Sequence, residues 1–256
     1  GWKALACGLS DLAAAGARPA WCLLSLTCPA VDEPWMAGFA EGFGALARRE
    51  GITLAGGDLS RGALSVTVQV AGYVDRGRGL TRAGARPGEA VFVSGWPGRA
   101  AAGLARLSGS TDAPGDPLVA ALNRPEPRTR LGVVLAAAGV SACIDVSDGL
   151  AADLGHILTA SGVGAELEAA ALPIAPALSA AGSPEQVREW VFGGGDDYEL
   201  CFTGPDDLGI DRLAGAGGVA VTRIGRITDA GGLELVEPHG TRSALAGIAG
   251  YRHFAS

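Results

Sequence analysis

Three groups of carboxylates stand where an apolar run meets glycine. Asp58 follows Gly56 and Gly57, Asp145 and Asp148 flank Val146 and Ser147 in the string IDVSDG, and Asp196 and Asp197 follow Gly193, Gly194 and Gly195. Carboxylates brought together repel one another, and a proton or a divalent cation relieves the repulsion. With no histidine or cysteine at ligand spacing, an all-oxygen donor set points to Mg²⁺ rather than Zn²⁺. The neighbouring glycines let backbone N–H groups approach an anion such as a phosphate. For any one of these acids a plain structural role is an equal reading, Asp148 as a helix N-cap and Asp58 as a turn residue. Asp11, inside a helical segment, reads as a solvated face residue, and His156, His239 and His253 read as structural or surface groups.

Other chemistries are excluded by what is missing. Lys3 is the only lysine, so no Gly-Lys-Ser/Thr phosphate loop exists, nor any lysine base beyond position 3. There is no G-x-S-x-G elbow and no HRD or DFG triplet. The net charge of -7 argues against a nucleic-acid binder held by phosphate contacts. Five cysteines without a C-x-x-C pair read as buried, reduced thiols and a cytoplasmic setting. No apolar run approaches the ~20 residues of a membrane-spanning helix, so no membrane partner is expected.

Positioning those acids requires a folded scaffold, and 256 residues at 48% hydrophobic and 18% charged supply one. Helices are expected over 2–16 (interrupted near Gly8), 34–50, 98–107, 117–122, 126–138, 148–162 and 184–192. Strands are expected over 20–27, 52–58 (running into a glycine turn), 64–74, 90–95, 142–147, 164–168, 198–203, 219–227 and 233–236. Trp35, Phe39 and Phe43 form an aromatic stripe expected in the core. A Gly- and Arg-rich stretch over 75–88 marks a boundary between two α/β or α+β lobes, residues 1–85 and 86–256.

Seven strings occur in order: KALACGLSDLAAAGARP, ITLAGGDLSRG, LTRAGARPGE, RPEPR, IDVSDGLAADLGHIL, GGGDDYELCFT and the terminal GYRHF. Together, and over essentially the whole chain, they resemble the thiamine-monophosphate kinase family. The resemblance implies an α/β, two-lobe AIR synthetase-like (PurM-like) fold with a homodimer built through the N-terminal lobe. It implies in-line transfer of the γ-phosphoryl of ATP to thiamine monophosphate with Mg²⁺ and without a protein nucleophile. It makes Asp11, Asp58, Asp145 and Asp148 Mg²⁺ ligands, Gly57, Asp58, Arg82 and Ser147 ATP contacts, and Asp196 and Tyr251 contacts to the thiamine moiety. An aromatic ring and a carboxylate beside a cationic thiazolium suit one another.

The chain departs from the family pattern at Gly8 (usually Asn), Leu59 (usually Thr), Asp196 (usually Glu) and Arg252 (usually Asp). The resemblance also implies a leading acidic segment with a substrate-contacting histidine, which would precede Gly1. Alternatives are another ATP-dependent enzyme of this fold, such as selenophosphate synthetase or a hydrogenase-maturation relative, and a non-catalytic nucleotide-binding remnant.

Overall fold

The computed structural model describes residues 1–109 and 115–245, and its strands fall into two sheets. The chain opens with helix α1 (Trp2–Ala14), strand β1 (Arg18–Cys28), helix α2 (Glu33–Glu50), and strands β2 (Thr53–Arg61) and β3 (Ser65–Tyr73). These strands make a three-stranded sheet in the order β2-β1-β3, with β2 parallel and β3 antiparallel to β1. Side chains alternate across a strand, and Cys22, Leu24 and Leu26 of β1 turn inward. Leu5, Ala6 and Leu9 of α1 and Phe43 and Leu46 of α2 close a core over Cys22, with Leu24 packed against it.

The second sheet follows the 75–88 link. Its elements are β4 (Ala90–Ser94), α3 (Arg99–Gly109), α4 (Pro117–Asn123), α5 (Thr129–Ala138), β5 (Ala142–Val146), α6 (Leu150–Ser161) and β6 (Gly164–Glu168). A 3-10 turn (Ala169–Ala171), α7 (Pro176–Ser179), α8 (Pro184–Gly193), β7 (Glu199–Gly204), α9 (Ile210–Gly217), β8 (Val221–Thr228), β9 (Gly232–Val236) and β10 (Arg242–Ala244) complete it. The strand order is β10-β9-β6-β8-β4-β7-β5. Strands β4, β5 and β7 are buried along their whole lengths, and β5 and β7 carry Asp145, Glu199 and Thr203 into the interior with their apolar neighbours.

One helix belongs to both halves. Ala13 of α1 sits in a core with Leu131 and Leu135 of α5 and Phe92 and Phe202 of the large sheet. Contact is so close that a Cβ on Gly132 of α5 would lie 2.1 Å from the Ala13 carbonyl oxygen. A second tie is Trp2, whose indole donates to the Pro125 carbonyl at 2.8 Å while the Arg49 and Arg124 guanidinia lie over its ring.

The structure corrects several expectations. Helix α1 runs unbroken through Gly8, because both flanking turns are held by the apolar face on the first core. Gly56 and Gly57 make no turn but pair with Leu23 and Leu24 inside β2, which continues to Arg61. Of the aromatic stripe only Phe43 is fully buried, and Trp35 is 40% exposed at the start of α2. Four of the five cysteines are buried, but Cys7 is only half-buried, and all five are free thiols. Helices α7 and α9 and strand β10 arise where no element is expected.

Candidate functional site

Helix α1 lays Lys3, Cys7 and Asp11 along one face at spacings of four. Cys7 and Asp11 line a cavity of about 910 Å³. Facing them are Asp145 near the end of β5 and Ser147 and Asp148 in the β5–α6 connection. Glycines 193–195, with Asp196 and Tyr198, line the same cavity, and Ala100, Ala101, Leu104 and Leu122 of α3 and α4 give it an apolar wall. The Ser10 hydroxyl donates to Asp145 Oδ2 at 2.7 Å in a buried contact, which locks α1 to β5 beside the cavity.

The acids of this cavity feel one another. Burial pushes the Asp11 and Asp145 carboxyls above the usual range, and Asp145's charge adds to the rise at Asp11. The Ser10 hydrogen bond opposes the rise at Asp145, and Arg82's charge offsets part of it at both acids. Arg82 lies on a link that is hydrogen-bonded to the large sheet: Thr81's carbonyl accepts from Cys143 N–H at 2.9 Å.

Asp148 is not the helix cap. Asp153, one turn into α6, turns back so that its Oδ2 accepts the N–H groups of Ser147, Asp148 and Gly149 at 2.9, 3.0 and 3.1 Å. Burial lifts the Asp153 carboxyl to about 6. The Asp148 side chain is thereby left to the cavity.

The run 196–199 is the most unusual stretch of backbone. Asp196 (φ 67°) and Tyr198 (φ 53°) both adopt the left-handed conformation, which costs about 1–3 kcal/mol per residue and concentrates at functional sites. Tyr198's hydroxyl donates to Asp196 Oδ1 at 2.8 Å, Lys3 Nζ meets Oδ2 at 2.8 Å, and the Cys7 thiol donates to the Tyr198 oxygen at 2.9 Å. Burial raises both the Cys7 thiol and the Tyr198 phenol, so both stay protonated in this chain. Asp197 and Glu199 turn the other way. Asp197 accepts the N–H groups of Gly98 and Ala100 at 2.5 and 3.1 Å at the start of α3, and burial pushes its carboxyl up to about 7. Glu199 is fully buried, with Arg128 Nε and Nη2 at 2.7 and 2.6 Å and the Ser94 hydroxyl at 2.6 Å. Burial alone would raise Glu199, but Arg128's charge and fork outweigh it and hold the carboxyl below the usual range.

The structure therefore brings Asp11, Asp145, Ser147, Asp148 and Asp196 to one cavity, whereas Arg82 does not line it and acts on Asp11 and Asp145 through its charge. It does not bring Gly57 and Asp58 there. In the β1–β2 register Asp58 pairs with Ser25 on the outer face of the small sheet, and its carboxylate takes the Ser60 hydroxyl at 2.5 Å. Tyr251 lies outside the described residues. Lys3, Cys7, Tyr198, Asp153, Arg128 and Glu199 were not singled out by residue type or spacing. All six lie within the motif strings, which was the one signal that pointed to them. Among the described residues no three His, Cys, Asp or Glu side chains stand close enough to enclose a metal ion by themselves.

The AIR synthase related protein family matches the chain twice, with its N-terminal domain over residues 1–74 and its C-terminal domain over residues 86–237. Over an alignment of 262 positions that spans the whole of this chain, 45% are identical to the thiamine-monophosphate kinase of Escherichia coli K12, of which 80% is covered. The chain belongs to the thiamine-monophosphate kinase family. Among solved structures, that of thiamine-monophosphate kinase from Stenotrophomonas maltophilia K279a superposes with a TM-score of 0.87 at 44% identity, covering 91% of this chain and 77% of that one. AaThiL complexed with AMPPCP and TMP superposes with a TM-score of 0.86 at 29% identity, covering 99% of this chain and 79% of that one. The two-lobe AIR synthetase-like fold and the kinase family both stand as the motifs implied, and the other enzymes of this fold recede.

Proposed function

We propose that this chain transfers the γ-phosphoryl group of ATP to the phosphate of thiamine monophosphate, giving thiamine diphosphate and ADP. The observation that carries the reading is the convergence of Asp11, Asp145 and Asp148 with the glycine run 193–195 on one cavity, in a member of this kinase family. Both reactants are anionic, so the task of the site is to hold two phosphates in line while their charge is cancelled. Arg82 contributes a fixed positive charge at the acids, and Ser147 a hydroxyl in the cavity wall for a phosphate oxygen.

The donor set suits Mg²⁺. All three carboxylates offer hard oxygens, two of them are raised by burial, and an open set fits an ion that keeps waters and shares substrate phosphates. Bound there, Mg²⁺ would supply charge neutralisation to the phosphoryl oxygens. Asp11, Asp145 and Asp148 would hold it. Asp196, with its partner Tyr198, is proposed to face the thiazolium, and Tyr251 to stack on it.

We further propose a homodimer through the small sheet, whose outer face carries the 37% exposed Trp21 and whose β2 and β3 edges are unpaired among the described residues. Gly57 and Asp58 would then reach ATP or Mg²⁺ from that face. Division at residues 85 and 86 and a cytoplasmic setting complete the proposal. The two family matches support the division, and five free thiols support the setting. No described helix is long and apolar enough to cross a membrane.

Measuring ADP and thiamine diphosphate formed with and without thiamine monophosphate tests the reading. Stoichiometric appearance of both, dependent on Mg²⁺ and on thiamine monophosphate, is expected. ATP hydrolysis indifferent to thiamine monophosphate would overturn it.

A further inference from the structure

The loop that carries Asp196 and Tyr198 into the cavity is clamped from its far side. Successive side chains of 196–199 alternate, so Asp196 and Tyr198, which line the cavity, are interleaved with half-buried Asp197 and fully buried Glu199, which do not. This second pair is tied to three separate elements. Asp197 takes two N–H groups at the head of α3, while Glu199 takes Ser94 at the end of β4 and Arg128 just before α5. Backbone bonds from Asp196 N–H to Ser147 O and from Tyr198 N–H to Val146 O, both 2.9 Å, bind the same run to the β5–α6 connection.

The clamp leaves no play. Gly95 (φ 54°) abuts Glu199 so closely that a Cβ there would lie 1.9 Å from Oε1. A guanidinium fork fixes the carboxylate plane as well as its charge, which a lysine does not. A buried ion pair adds little to stability compared with well-packed apolar residues, so its orienting effect is what distinguishes it.

We propose that Arg128, acting through Glu199, is a positioning residue for the substrate side of the cavity. Its fork holds Glu199, and Glu199 together with Asp197 keeps the left-handed backbone that aims the Asp196 carboxylate and the Tyr198 hydroxyl. The inference rests on the reading that Asp196 faces the thiamine moiety. The nucleotide side, with Asp145, Ser147 and Asp148, shares the two backbone bonds from Asp196 and Tyr198 but has holds of its own in the Ser10 and Asp153 bonds, so Arg128 is expected to matter less there.

Calorimetric titration of the full chain with thiamine monophosphate and, separately, with AMPPCP and Mg²⁺ tests this. Arg128→Lys should weaken thiamine monophosphate binding by about tenfold and leave the nucleotide within about twofold. In an Asp196→Asn, Tyr198→Phe background the same substitution should change thiamine monophosphate binding by less than about threefold, because the groups it aims are gone. Equal weakening of both ligands, or an undiminished effect in that background, would show a general loss of structure and overturn the proposal. Should Arg128→Lys not fold, Ser94→Ala removes one bond to Glu199 and is expected to show the same selectivity at a smaller size. A folded Ser94→Ala with unchanged thiamine monophosphate affinity counts against the role. Failure of the unsubstituted chain to bind thiamine monophosphate overturns the functional reading itself, and the positioning role with it.

Discussion

Asp148 and Asp153 lie close in sequence and have separate tasks. Asp153 satisfies three N–H groups at the head of α6, so Asp153→Ala should cost about 1–3 kcal/mol and lower Tm by about 5 °C in thermal unfolding. Asp148 carries none of that burden, and Asp148→Asn should leave Tm within about 2 °C while abolishing Mg²⁺-dependent nucleotide binding. A Tm drop without loss of nucleotide binding would reverse the assignment. Asp197 gives a pH signature. Folded, it keeps its proton to about pH 7, whereas in the unfolded chain it releases it near pH 4. Between those values the folded state binds the extra proton, so stability falls as pH rises, by at most about 1.4 kcal/mol per pH unit. Asn at this position keeps an acceptor for only one of the Gly98 and Ala100 N–H groups, but it does not titrate. Denaturant unfolding from pH 5 to 6.5 should therefore show a shallower decline for Asp197→Asn than for the unsubstituted chain. Parallel slopes would mean that Asp197 folds as a carboxylate.

At the scale of elements, the contact of α1 with α5 ties the helix that carries Asp11 to the second lobe. Gly132→Ala pushes a methyl against the Ala13 carbonyl, backbone against side chain with no rotamer to yield. We expect a loss of at least about 2 kcal/mol, read by urea unfolding, together with weaker nucleotide binding as Asp11 moves from Asp145. A stabilised Gly132→Ala protein, following helix propensity alone, would contradict the packing argument. Elements with strong internal periodicity were legible in the sequence: α1, α2, α5 and α6 end within about three residues of where the pattern places them. So were the apolar strands of the large sheet. What escaped was set by distant partners. The parallel pairing that straightens Gly56 and Gly57 is invisible locally, as is the bond of Lys3 to Asp196 across 193 positions. The Asp148 cap was a sound local reading, displaced because Asp153 supplies a carboxylate from within the first turn of α6. Helix α9 and strand β10 are too short to carry a period. At the cavity, the acids were legible by type, whereas the buried clamp of Arg128 and Glu199 was not, since an ionic pair in a core leaves no periodic trace.

Across the whole molecule the two sheets differ in cover. Strands β2 and β3 are exposed along most of their lengths, while β4, β5 and β7 are buried throughout. Amides of the small sheet should exchange with deuterium at least about a hundredfold faster than those of the β4–β7 ladder in the isolated chain. Equal protection would mean that the outer face is covered in solution. Helix α1 complicates any division of the molecule. It comes from the first half, yet it brings Asp11 and Cys7 to a cavity otherwise built by the second and buries Ala13 in the large sheet's core. The gap between the two family matches, residues 75–85, is thus a poor place for recombination. A chimera joined there would retain one parent's α1 while acquiring the other's α5 and β5. Ala13 would face a foreign crossing partner, and Ser10 a foreign carboxylate. Breeding variants of this kinase by shuffling halves calls for carrying α1 along with the second lobe, so the heritable unit of the site runs across the domain boundary.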